Sequence, residues 1–292
     1  MIPDVVVTGA SGFIGRWVCE ELLRRGAVVY GLTRSNAKAI AGVRYLKVAT
    51  YDQARVPPGA VCIHLAGGNL ADNVATNVRA EFDESIGLAK KIATGSFTRV
   101  VFISSALVYG YSIQTPRRED EPISPGGAYA TMKAAAEEIF LSHGHTVARL
   151  ANVYGPGMSA VNVLSDVLQQ VPGSGDIQVR DVDPIRDYIY VSDIARGLAA
   201  LALYGTEGGI FNLGTGIGTS VGQLVACIAE QAGEEGRRVV SYGSDGRRSI
   251  LILDPGKTAA ALGWQADIPL AEGLKELIEN RISMVSQKRY KP

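Results

Sequence analysis

The chain has 292 residues, nearly half of them hydrophobic, which is enough to bury a full core and excludes a disordered polypeptide. Lysine plus arginine match aspartate plus glutamate at 29 each, so no basic excess is available to hold nucleic acid or an anionic membrane. The three cysteines, Cys19, Cys62 and Cys227, are too scattered for a metal or disulfide framework. With no apolar run of membrane-spanning length, the reading is a cytoplasmic protein with reduced, buried thiols.

Val5-Val6-Val7 predicts a first strand, with Asp4 standing where a leader would carry a base. It runs into Thr8-Gly9-Ala10-Ser11-Gly12-Phe13-Ile14-Gly15, after which Arg16 to Arg25 spaces its apolar residues as a helix does, closed by Gly26. Further strands are expected at 28–32, 44–48, 60–65, 99–103 and 146–150, with helices at 72–94 and 129–141. Strands alternating with helices imply a doubly wound, Rossmann-type parallel sheet in an α/β protein, and strands this apolar suit a sheet covered on both faces. After Asn152-Val153-Tyr154-Gly155-Pro156-Gly157 the rhythm breaks. Helices are expected near 161–170, 193–203, 221–233, 255–262 and 270–286, with a short apolar run at Phe211-Asn212-Leu213. The organisation that follows is a first domain over 1–155 and a smaller lobe over 156–292, interleaved with the last strands of the sheet; the motifs below make the first a dinucleotide-binding domain and the resemblance makes the second a substrate-binding lobe.

Glycines 9, 12 and 15 between a strand and a helix have separate tasks. The first allows the tight turn, the second lets backbone approach a pyrophosphate, and the third lets helix and strand pack closely. Backbone N–H groups at the helix start then face the phosphates. Cofactor-binding candidates here are Gly9, Ser11, Gly12, Phe13, Ile14 and Gly15. The end of the second strand reads Thr33-Arg34-Ser35. It offers a cation and hydroxyls where NAD binders carry an acid, which favours NADP over NAD.

Tyr129 and Lys133 stand one helical turn apart on one face, downstream of a strand ending in Ser104-Ser105. An isolated tyrosine hydroxyl titrates near pH ~10, and a neighbouring positive charge is expected to lower that value toward the working range of an acid–base catalyst.

With these residues in order, the chain resembles the extended short-chain dehydrogenases/reductases of the nucleotide-sugar epimerase/dehydratase group. The likeness covers nearly the whole length. It rests on Thr8–Gly15, His64-Leu65-Ala66-Gly67, Ser104 to Gly110, Tyr129–Lys133, Arg149–Gly157, Arg186 to Ala195, and Leu262-Gly263-Trp264. The resemblance implies an oxidoreductase with Ser105, Tyr129 and Lys133 as catalytic residues. It implies that Leu65, Ala66, Gly67, Ser104, Tyr129 and Lys133 lie along the cofactor. Ser105, Ala106, Asn152, Arg186 and Arg247 or Arg248 would face a nucleoside-diphosphate sugar. His64 reads as a strand-end residue. Ala106-Leu107 replaces the Asp-Glu pair of the group's 4,6-dehydratases, which argues against dehydration. Some epimerases of the group carry a phosphate-contacting lysine after the position of Gly67, and the segment here has no clear counterpart. The expected reaction is reduction of a 4-keto-6-deoxy sugar, with a 4-epimerase holding NAD tightly as the rival. A non-catalytic dinucleotide sensor and a reductase of non-nucleotide ketones are more distant readings. A homodimer through the helices at 72–94 and 129–141 is implied in the same way.

Overall fold

A computed structural model describes residues 2–34, 39–53, 55–67, 78–111, 116–205, 208–243 and 249–289. β1 (Val5–Thr8), β2 (Val29–Thr33), β3 (Arg44–Lys47), β4 (Val61–His64), β5 (Arg99–Ser105) and β6 (Thr146–Leu150) lie in one sheet with a later strand, β11 (Gly209–Leu213). The order is β11-β6-β5-β4-β1-β2-β3, with every neighbour parallel. The chain therefore winds outward from β1 in one direction, crosses back to β4, and winds outward in the other. Ligands of such sheets bind where the direction reverses, beyond the carboxyl ends of the strands. That point lies between β1 and β4, where Thr8 is in register with His64.

α1 (Phe13–Arg24), α2 (Val78–Ala93), α3 (Ala128–Ser142) and α5 (Val191–Tyr204) cover the sheet. α1 and α5 pack on each other on one face, α2 and α3 on the other. Two hydrophobic cores result. One includes Val5, Val7, Val18, Leu22, Leu198 and Leu213, the other Val6, Cys62, Ile92, Phe102 and Phe140. Valines 5, 6 and 7 divide between them, as the two-residue period of a strand requires. A continuous β-branched run is thus what a strand buried on both faces needs.

The remaining elements are β7 (Asn152–Tyr154), α4 (Val163–Gln169), β8 (Ile177–Val179), β9 (Ile185–Arg186), β10 (Tyr188–Tyr190), β12 (Thr219–Ser220), α6 (Val221–Gln231), β13 (Val239–Ser241), β14 (Ile250–Leu251), α7 (Gly256–Leu262) and α8 (Leu270–Arg289). A third core, with Leu164, Ile177, Leu224, Ile228 and Leu274, lies under α4, α6 and α8. β10 falls on the apolar run Tyr188-Ile189-Tyr190-Val191, whereas the other short strands, as runs of two or three residues, carry no readable period in the sequence. The first part of the helix expected at 72–94 lies outside the described residues. Among the described residues, no helix is long and apolar enough to cross a membrane.

Candidate functional site

The glycine turn has the geometry its spacing predicts. Gly9 takes φ +69°, a conformation that disfavours any side chain. A Cβ on Gly15 would collide with the Gly9 carbonyl oxygen and stand 2.9 Å from Ala10 Cα, so helix and turn touch there. A Cβ on Gly12 would stand 3.2 Å from the same oxygen. α1 begins at Phe13 without a side-chain cap, leaving its amino end to backbone groups. Beside the turn, a cavity of about 420 Å³ opens between Ser11, Gly12, Phe13 and Arg16 on one side and Pro156 and Gly157 on the other. A bare backbone cradle at an uncapped helix start fits a pyrophosphate, so these residues suit a dinucleotide.

The far wall of the crevice is fixed by Thr8. Its hydroxyl accepts from the Ala66 N–H at 3.1 Å and pairs with His64 Nδ1 at 2.8 Å. Burial, then the charge of Lys133, lowers the pKa of His64 to about 3, so the imidazole is neutral and structural. Ala66 approaches the turn closely, its backbone nitrogen only 3.1 Å from where a Cβ on Gly9 would sit. Leu65 and Gly67 flank it at the end of β4.

α3 carries the catalytic candidates. Tyr129 is half-buried and Lys133 is 7% exposed. The Lys133 ammonium donates to the Ile103 carbonyl at 2.8 Å and lies 4.9 Å from the Phe102 ring centroid and 5.8 Å from that of Tyr129. Burial lowers its pKa to about 8, against the opposing pull of Glu137. Tyr129 departs from expectation. Its pKa is raised, not lowered, because burial penalises the phenolate. Ser105 ends β5, and its hydroxyl accepts from the Leu107 N–H at 3.2 Å, capping the 3₁₀ turn at 106–109 that contains Ala106. Ser104 turns the other way, as alternation along a strand demands, and its hydroxyl donates to Glu137 Oε1 at 2.5 Å.

That last contact opens a network that sequence reading passed over. Arg149 donates to Glu137 through Nε and Nη2, the shortest contact being 2.6 Å, and both side chains are buried. The Arg149 guanidinium also lies 4.5 Å from the Tyr109 ring centroid, and Tyr109 donates to Asn212 Oδ1 at 2.9 Å. Arg149 thereby joins α3, which bears Tyr129 and Lys133, to the turn that Ser105 caps. The sequence held two signals for it. Glu137 sits two turns beyond Tyr129 on the same helix face, and Arg149 stands alone inside the apolar strand Thr146–Leu150.

Of the other candidates, Asn152 is exposed at the start of β7. Arg186 is held by its neighbours: Nη1 donates to the Ile185 and Ser249 carbonyls and Nη2 to the Ser249 hydroxyl, each at 2.8 Å, while Cζ lies 4.8 Å from the Tyr111 ring centroid. The adjacent Asp187 is occupied elsewhere, accepting from Thr215, Gly216 and Leu253. Thr33 is buried with its hydroxyl 3.4 Å from that of Ser11, and Arg34 is exposed. Ser35, Arg247, Arg248 and the segment after Gly67 lie outside the described residues.

The motif segments meet in space. β10 pairs with β7 so that Tyr188 faces Asn152. The Trp264 indole donates to the Asp193 carbonyl at 3.1 Å, and Asp193 Oδ2 accepts from the Asp267 and Ile268 N–H groups. Residues 5–214 match the NAD dependent epimerase/dehydratase family. The chain belongs to that family. UDP-glucose 4-epimerase of Bacillus subtilis (strain 168) is 29% identical over 322 residues, covering 92% of this chain and 94% of that protein. The crystal structure of a UDP-glucose 4-epimerase with UDP-glucose from Thermotoga maritima superposes with a TM-score of 0.81 at 26% identity, covering 97% of this chain and 99% of the other. That of a Thermus thermophilus UDP-glucose 4-epimerase in complex with NAD gives 0.75 at 26%, covering 94% and 98%. The resemblance and the Rossmann-type sheet expected from the sequence are both borne out, and this member of the epimerase/dehydratase family is an enzyme of the short-chain dehydrogenase/reductase type.

Proposed function

We propose that this family member interconverts the C4 epimers of a nucleoside-diphosphate sugar with a bound NAD. The observation that supports it most is Tyr129 and Lys133 on α3, packed against the strand that ends in Ser105, in a chain that aligns with UDP-glucose 4-epimerases over more than nine-tenths of its length. Bound NAD supplies the hydride acceptor and donor at the sugar carbon. Tyr129 moves the proton at the sugar O4, as base when the carbinol is oxidised and as acid when the ketone is reduced. The Lys133 ammonium favours the tyrosinate electrostatically, and Ser105 hydrogen-bonds the same oxygen. Arg186 engages the diphosphate by charge-assisted hydrogen bonds, with Asn152 beside it. Residues 1–155 hold the dinucleotide and 156–292 the sugar nucleotide, and two copies pair through α2 and α3.

A second reading is reduction of a 4-keto-6-deoxy sugar by NADPH. It is favoured by Arg34 at the end of β2 and by Ala106 and Leu107 where dehydration would need acids. A non-catalytic sensor would not need both Tyr129 and Lys133. Denaturing the purified protein and identifying the released dinucleotide separates the two enzymes. Near-stoichiometric NAD is expected of the epimerase, which keeps its cofactor through a full cycle. An empty protein that then binds NADPH far better than NADH would support the reductase.

A further inference from the structure

At the open end of β2 lies a cavity of about 270 Å³. Arg34, which follows β2, Tyr51 and Asp52 from the short turn after β3, and Glu84 and Lys91 from α2 wall it. Its charged groups are paired across it. Arg34 Nη1 lies 3.9 Å from Glu84 Oε1, and Lys91 Nζ lies 3.1 Å from Asp52 Oδ2. The Arg34 guanidinium is also 5.6 Å from the Tyr51 ring centroid. Ser11 and Thr33 tie this end of β2 to the glycine turn.

In a fold of this kind the residues following β2 decide the cofactor. An acid there accepts from the ribose 2′-hydroxyl of NAD, whereas an arginine receives the 2′-phosphate of NADP. Here Thr33-Arg34 supplies no acid. The carboxylate comes from α2.

We propose that Glu84 sets the dinucleotide preference: by engaging Arg34 and balancing the charge of this cavity, it makes the chain take NAD in preference to NADP. The inference rests on the proposed dinucleotide site. NADP brings about two further negative charges, as any phosphate monoester does near neutral pH. With Glu84 present, those charges meet a guanidinium that already has a partner and a carboxylate of like sign. Lys91 does not substitute, being held more closely by Asp52. Arg34 and Glu84 are 62% and 77% exposed in their side chains, so their pair adds little to folding and its removal leaves the fold intact. Its effect falls on the charge that a ligand meets. The arginine that argued for NADP in the sequence is thus consistent with an NAD enzyme.

The test is calorimetric titration of NAD⁺ and NADP⁺ into the dinucleotide-free full-length protein, wild type, Glu84→Gln, and Glu84→Gln/Arg34→Gln. In Glu84→Gln the NADP⁺ Kd is expected to fall about tenfold while that for NAD⁺ stays within about twofold, and the gain should weaken with added salt. The double variant should lose the gain, because Arg34 provides the attraction. An unchanged NADP⁺/NAD⁺ ratio in Glu84→Gln overturns the inference, as does a gain that survives loss of Arg34. Failure of the wild type to bind either dinucleotide would instead overturn the reading of the site.

Discussion

Lys133 gives its ammonium to the Ile103 carbonyl, 2.8 Å away, immediately before the Ser104-Ser105 pair that ends β5. Helix and strand are thereby fastened at the level of the proposed site, and the charge sits in an almost water-free place. Its pKa of about 8 lies below the ordinary lysine value of 10.5. Between these values the folded chain binds fewer protons than the unfolded one, so stability rises with pH from about 8 to 10.5, and the burial cost is present in full below 8. With Lys133 in the proposed role, activity should move oppositely, because a neutral amine would no longer favour the tyrosinate. The pH profile of kcat/KM, which reports groups of the free enzyme, should fall above about 8. A profile flat to pH ~10 would contradict this role.

Lys133→Met should uncouple stability from activity. The variant removes a buried charge, so its Tm at neutral pH should equal or exceed that of the wild type while turnover is lost. Thermal melts beside initial rates check this. A folded variant with wild-type kcat would oppose the assignment.

Tyr129→Phe removes one hydroxyl and little packing. The expected outcome is a loss in kcat of at least about 10²–10⁴-fold, the range for a positioned acid–base group, with dinucleotide affinity nearly unchanged. Rate and binding measurements on the same preparation separate the two.

Gly15→Ala drives a methyl group into the Gly9 carbonyl oxygen, so α1 must move away from the turn. Overpacking of this kind costs about 1–3 kcal/mol, and the displaced turn should lose dinucleotide affinity as well. Gly12→Ala, with 3.2 Å of room, should fold better yet still bind dinucleotide less tightly. Urea denaturation and dinucleotide titration measure both effects.

Glu137→Gln leaves Arg149 charged and buried without its counter-ion. Breaking such a pair costs about 3–5 kcal/mol. The double replacement Glu137→Met/Arg149→Met removes both charges and should recover most of that loss while still lowering kcat, since the joint between α3 and the Ser105 turn is gone. Denaturant midpoints and rates on the two variants check this; a cost under about 1 kcal/mol for Glu137→Gln would show the pair to be idle.

Local signals made the nucleotide end readable. The glycines at 9, 12 and 15 and the valines of β1 encode turn, close packing and two-sided burial within eleven residues. The Tyr129–Lys133 face was equally legible, being a single helical turn. What escaped was what depends on distant partners. Glu137 and Arg149 acquire meaning only when α3 lies on β5 and β6. Nothing near Arg186 in the sequence shows that Ser249 holds its guanidinium, or that Thr215, Gly216 and Leu253 hold the adjacent Asp187. The burial of Tyr129, which raises its pKa in the dinucleotide-free protein, is hidden for a similar reason: sequence spacing places a cation nearby but does not reveal what covers the ring.

The most direct measurement follows the C4 hydrogen of UDP-galactose, labelled with deuterium, through the purified enzyme and its Tyr129→Phe variant. The wild type is expected to form UDP-glucose with the label retained at C4, without net consumption of added dinucleotide, while the variant forms none. Wild-type protein that leaves UDP-galactose unchanged, that washes the label into solvent, or that is matched in rate by Tyr129→Phe would contradict it.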